Sequence, residues 1–296
     1  MSEWLLAIYN FAFAPFVDYG FMRRALIACA AIGLACGPIG TILVLRRMSL
    51  AGDAIAHAVL PGAAVGFIFF GLSLPAMTLG SFVAAALMAL VASFVTRWTS
   101  QKEDASFASF YLIALALGVL LISTAGSKVD LLHFLFGSVL AIDTESLLMI
   151  AGASTVSILV LSFIWRPLML ECFDPGFLRS VGGRGAWVHQ IFMMIVVLTL
   201  VSAFQALGTL MAVGLLMLPA TAARFWCYGV IARSLLAAAF GALSGVLGLL
   251  VSYHANFPSG PSIVLVAGVF YLASLCLGSR DSFRLILFPT PQHKES

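Results

Sequence analysis

At 296 residues, 62% of them hydrophobic and 9% charged, with a mean hydropathy of +1.11, the chain carries more apolar surface than one water-soluble core can hide. Soluble domains carry roughly 25% charged residues, so composition excludes that class and points to the bilayer interior. The net charge of +3 and a pI near 8.7 suit a membrane protein with basic cytoplasmic loops and give no sign of nucleic-acid binding.

The apolar stretches are long and continuous, unlike the short alternating segments of a β-barrel. The expected fold class is therefore all-α, a polytopic integral membrane protein. An aromatic lead of Trp4, Tyr9, Phe11, Phe13 and Phe16 precedes the runs Ala25–Leu45, Ala54–Phe70, Leu74–Val95, Phe107–Ser123, Leu147–Trp165, Trp187–Phe204, Leu207–Ala223, Leu235–Tyr253 and Ser262–Gly278. Each is near the roughly 20 residues a spanning helix needs. That predicts eight or nine transmembrane helices, because two runs meet at Gln205 and Gly208 with almost no loop. One of those two is either a full span or a re-entrant half-helix buried in protein. The first span is expected to insert uncleaved. The chain reads as a single transmembrane domain over 1–296, with a helical bundle at 22–285, a cytoplasmic loop at 166–186 and a tail at 286–296.

Orientation follows from the basic residues. Nine alternating spans place Arg46, Arg47, Arg97, Lys102, Arg166, Arg179, Arg184, Arg224 and Arg233 on one side, against mainly Lys128 on the other. The first side is the cytoplasm. Arg23 and Arg24 run against this, unless their side chains reach outward to lipid headgroups. The five cysteines show no metal-binding spacing and read as small buried hydrophobes. The glycine-rich stretches Ile32–Gly40, Gly62–Gly66 and Gly241–Gly248 read as close helix-packing surfaces.

Asp53 and His57 interrupt AGDAIAHAVLPGAAVGFIFF four residues apart, so one helical face carries both a carboxylate and an imidazole. Burying such groups in a membrane is costly unless they have partners or a task. A hard oxygen beside a borderline nitrogen suits Zn²⁺, Mn²⁺ or Fe²⁺ better than Ca²⁺. The bland alternative is that Asp53 caps the helix and His57 bonds a neighbour. With a helix starting near Arg47, His57 would stand about 15 Å in, near the bilayer midplane. Pro61 has no N–H for the carbonyl of His57, which is thereby freed.

On the outer side, Asp130, His133 and His254 are candidates for capturing an incoming ion. His189 and His293 read as interfacial and tail residues, and Glu103 and Asp104 as caps of the fourth span. In the loop RPLMLECFDPGFLRSVGGRGA, Asp174 suits an N-cap, Pro175 the first helical position and Gly182–Gly183 a stop. That short helix either lies on the membrane surface or docks on a partner, presenting Phe177 and Leu178 as an apolar knob.

Six stretches taken in order resemble the permease subunit of the zinc, manganese and iron ABC importers. They are RRMSLAGDAIAHAVLPGAAVG (46–66), KEDASFASFYLIALALGVLL (102–121), VDLLHFLFGSVLAI (129–142), FDPGFLRSVGG (173–183), FQALGTLMAVGLLMLPATAARF (204–225) and FPSGPSIVLVAGVFY (257–271). The resemblance implies a homodimeric, multi-pass permease of the bacterial inner membrane, surrounded by lipid. Its partners would be a separate cytoplasmic ABC ATPase and a periplasmic metal-binding protein. It further implies that Asp53 and His57 hold the ion in transit and that Phe173 to Gly183, with Asp174, Phe177, Leu178, Gly182 and Gly183, couples to the ATPase.

The transport subunit would not itself be an enzyme. It contains no G-x-x-x-x-G-K-[ST] loop for nucleotide phosphate, and no H-E-x-x-H set of an intramembrane metalloprotease. No covalently bound cofactor is expected; the transported divalent ion is the ligand. Two protomers would supply two Asp and two His, which ranks zinc first and manganese second, with iron also accepted. The competing reading is a proton-coupled secondary metal transporter, in which Asp53 and His57 would relay protons.

Overall fold

The computed structural model describes residues 9, 11, 13–71, 73–124, 142–180 and 182–283, and among these all regular structure is helical. In chain order the helices are α1 (Ala14–Asp18), α2 (Gly20–Leu45), α3 (Ser49–Phe70), α4 (Leu74–Trp98), α5 (Glu103–Thr124) and α6 (Thr144–Phe173). They continue with α7 (Pro175–Ser180), α8 (Gly185–Leu207), α9 (Thr209–Arg224), α10 (Val230–Ala255) and α11 (Ser259–Leu277). Eight of them are long and apolar enough to cross a membrane, the exceptions being α1, α7 and α9. With 16 residues, α9 extends only about 24 Å, short of a roughly 30 Å hydrocarbon core. A single residue, Gly208 at φ 83°, joins it to α8. α9 then carries the chain back to the arginine-rich end, where Leu216 and Ala220 press on Gly40 of α2.

Small residues let these helices touch backbone to backbone, which compensates for the weak drive that association has in lipid. Along the antiparallel pair α2 and α10, Gly33 meets Gly241 and Ala242, Gly37 meets Ala237 and Ala238, and Gly245 meets Cys29. Gly62 of α3 sits against Gly80 of α4, and Gly66 against Ala76 and Met77. The three glycine stretches are packing surfaces, as their composition suggests. Cys29 and Cys36 are fully buried on α2 as small apolar side chains, but against expectation Cys172 and Cys227 are only partly buried and Cys276 is exposed.

The turn between α2 and α3 sets where the Asp53 helix begins. Arg47 adopts φ 59°, its N–H bonds the carbonyl of Val44 and the N–H of Met48 bonds that of Leu43. This is the left-handed helix stop in which glycine is usual, closed by an apolar contact, here the 1% exposed Met48. α3 therefore starts at Ser49, two residues beyond Arg47, and His57 stands about 12 Å into the helix instead of 15 Å.

α6 also differs from expectation. Thirty residues carry it through Arg166 and Pro167 to Phe173, so the loop expected at 166–186 is helical for its first eight positions. Pro167 forfeits one backbone hydrogen bond, and the fully buried Leu168 beside it keeps the helix packed. At its other end Asp143 caps α6, its Oδ1 accepting the Ser146 N–H at 2.9 Å. Hydrogen bonding from the Ser146 hydroxyl first, then from its N–H, with a small contribution from the charge of Arg24, holds the Asp143 carboxyl below its usual range. Arg24 thus stands at the same end of the bundle as the start of α6, opposite the arginine-rich end.

Candidate metal site and coupling surface

Asp53 and His57 are the fifth and ninth residues of α3, one turn apart on one face. The Asp53 Oδ1 lies 3.6 Å from the His57 Nε2, too far for a hydrogen bond. It is a suitable spacing for a shared cation, because one ion with bonds of about 2.1 Å would bridge the two atoms at an angle near 120°. The Asp53 side chain is 47% exposed and that of His57 21%. Among the described residues no group of three or more His, Cys, Asp and Glu side chains is placed to hold a metal ion.

The wall beside this pair comes from α5, which runs parallel to α3. Gly118 packs against Leu60 and Pro61, and the Tyr111 ring lies 5.0 Å from the His57 ring, tilted by 52°. The Nδ1 of His57 is buried, with no hydrogen-bond partner among the described residues. Tyr111 did not stand out in the sequence, where it is one aromatic in an apolar run. The signal that would have found it is the matching register of two parallel helices, which no single-helix pattern contains.

The ABC 3 transport family model matches residues 18–278 of the chain. The manganese import system permease protein ScaB of Streptococcus parasanguinis is 36% identical over 264 residues, covering 89% of this chain and 93% of that protein. The chelated iron transport system membrane protein YfeD of Yersinia pestis is 31% identical, covering 88% and 86% respectively. A solved structure of PsaBC from Streptococcus pneumoniae in complex with Fab superposes with a TM-score of 0.81 at 32% identity, covering 95% of this chain and 99% of that one. The chain belongs to the ABC 3 transport family. It is a multi-pass plasma-membrane permease of a metal-ion ABC importer and not an enzyme. Membership favours ATP-driven import over the proton-coupled alternative.

At the arginine-rich end of the permease, the expected loop chemistry is in place. Asp174 caps α7 by accepting the Phe177 N–H at 2.8 Å, and Gly182 turns the chain at φ 77°. The Gly183 N–H then bonds the Leu178 carbonyl at 2.8 Å. The expected knob is only half right. Phe177 is 53% exposed, whereas Leu178 is 7% exposed because it folds back onto Gly183. Phe173 and Trp187 are exposed alongside Phe177.

Behind α7 lies a cavity of about 580 Å³ lined by Arg46, Arg97, Glu103, Glu171, Arg184 and Trp187 among others. Glu103 Oε1 is 3.8 Å from Arg46 and 4.0 Å from His189. His189, five residues into α8, is 1% exposed, its Nε2 3.2 Å from the Ser93 hydroxyl of α4. The Glu171 carboxylate lies against Gly185, the first residue of α8, where unpaired N–H groups favour a negative charge. Glu103 and Asp104 are the first two residues of α5 and not its cap; as acidic residues in the first turn they suit the positive end of the helix.

His254 lies in the last turn of α10 and not in a loop. Its Nε2 is 3.0 Å from the Phe11 carbonyl oxygen and its ring stacks on Phe11 at 4.2 Å, so it ties the N-terminal segment to the bundle. Asp130, His133 and His293 lie outside the described residues.

Proposed function

We propose that this permease carries manganese, with iron second and zinc third, past Asp53 and His57. The observation that carries the reading is the 3.6 Å approach of a carboxylate oxygen to an imidazole nitrogen on one face of a membrane helix. A half-exposed carboxylate on such a helix cannot rest against hydrocarbon without large cost. A water-lined path shared with a second copy of the chain satisfies it, and two copies would offer two Asp and two His. That donor set alone ranks zinc first. Six relatives at 33–36% identity, all named for manganese transport, reverse the order. Manganese also wants more oxygen ligands, and the His57 carbonyl, left without an N–H at Pro61, is one available donor.

ATP hydrolysis belongs to a separate subunit, which docks on α7 and the exposed aromatics around it. An extracytoplasmic binding protein delivers the ion to the other face. The test is rescue of import-deficient cells under chelation, with manganese, iron and zinc restored singly. Manganese-specific rescue is expected for the wild-type chain, and none for Asp53→Ala or His57→Ala at unchanged membrane abundance. Rescue by zinc alone would overturn the metal order, and full manganese uptake by both variants would overturn the site.

A further inference from the structure

A metal-bound histidine is ordinarily oriented through its second ring nitrogen, which donates to a carboxylate, carbonyl or water. Among the described residues no carboxylate or carbonyl takes that place for His57. Its Nε2 is the atom turned toward Asp53, while Nδ1 is buried with no hydrogen-bond partner among those residues. Two rotatable bonds separate the imidazole from the α3 backbone, so something else must keep Nε2 on the Asp53 side.

The neighbour in position to do so is Tyr111, whose ring centre lies 5.0 Å from that of His57 at a tilt of 52°. α5 holds Tyr111 at this height because the helices are locked together one step higher. Gly118 brings α5 onto Leu60 and Pro61, where an added methyl would come within 3.2 Å of both residues. Seven residues separate Tyr111 from Gly118, two helical turns, so both lie on the face that looks at α3.

We infer that Tyr111 is a positioning residue for the ion site: its ring, in place of a hydrogen bond, fixes the imidazole of His57 so that Nε2 and the Asp53 carboxylate face one cation. The inference rests on the Asp53 and His57 reading and adds a third residue to it, acting through packing and not by ligation. Because aromatic pairs gain from tilted contact beyond their buried area, a flat side chain of similar size substitutes where a branched one does not. The hydroxyl plays no part.

The experiment is Mn²⁺ binding to the full-length permease assembled with its ATPase, read from the loss of the free-ion paramagnetic resonance signal. Three variants are compared, Tyr111→Leu, Tyr111→Phe and Asp53→Ala. Tyr111→Leu should weaken Mn²⁺ affinity about tenfold, roughly 1.4 kcal/mol. Tyr111→Phe should restore affinity to within about twofold of the wild type and keep its thermal midpoint, while Tyr111→Leu, a smaller side chain at a half-buried position, should lower the midpoint by only a few degrees. Wild-type affinity in Tyr111→Leu, with binding lost in Asp53→Ala, would overturn the role of Tyr111 alone. Equal loss in the Leu and Phe variants would also overturn it, by assigning the effect to the hydroxyl. Unchanged binding in Asp53→Ala would remove the ion site and this inference with it.

Discussion

At the scale of single residues, the molecule depends on atoms that are absent. A Cβ on Gly62 would collide with the carbonyl of Gly80, and no flexible side chain is available there to give way. Gly62→Val should therefore force α3 away from α4 and cost about 1–3 kcal/mol, seen as a lower thermal midpoint in detergent. Gly152→Ala is the control, because nothing among the described residues lies within 4 Å of a methyl at that position. Equal midpoints for the two variants would contradict the close approach. The Asp53 and His57 pair was legible in the sequence for the same physical reason that glycine stripes were. A period of 3.6 residues places i and i+4 on one face whatever the surroundings.

Among the elements, α7 is the clearest departure from bilayer logic. It is six residues long, too short to be stable alone, and it persists because Asp174 caps it and Leu178 is folded under Gly183. That folding leaves Phe177 facing outward, with Phe173 and Trp187 exposed beside it. Phe177→Asp should reduce co-purification of the ATPase, by about 2 kcal/mol if the ring is an anchor of the contact, and should uncouple hydrolysis from transport. Unaltered assembly and uptake would dismiss α7 as the docking element. The capping chemistry was legible because Asp, Pro and Gly act on their own backbone. Which of Phe177 and Leu178 faces out was not, since that depends on how the Gly182–Gly183 turn closes.

For the whole molecule, sidedness rests on arginine counts and can be tested directly. Phe257, 61% exposed beyond α10, and Tyr228, 78% exposed at the arginine-rich end, are separated by the full length of α10. In a background lacking Cys172, Cys227 and Cys276, a membrane-impermeant thiol reagent applied to intact cells should label Phe257→Cys and not Tyr228→Cys. Labelling of the latter should require permeabilisation. The reverse pattern would invert the assigned orientation.

What the sequence determined by itself was everything carried by local periodicity and composition: an all-helical membrane bundle, its basic face, the Asp53 and His57 face, and the caps of α7. Tertiary structure decided what depends on two helices at once. It shortened α9, ran α6 past Pro167, buried His189 against Ser93, tied His254 to Phe11 and set Tyr111 on His57. Each of these depends on a neighbour far away in the chain. In a bundle where nearly every helix is apolar all round, hydropathy marks the helices but does not say which face meets which.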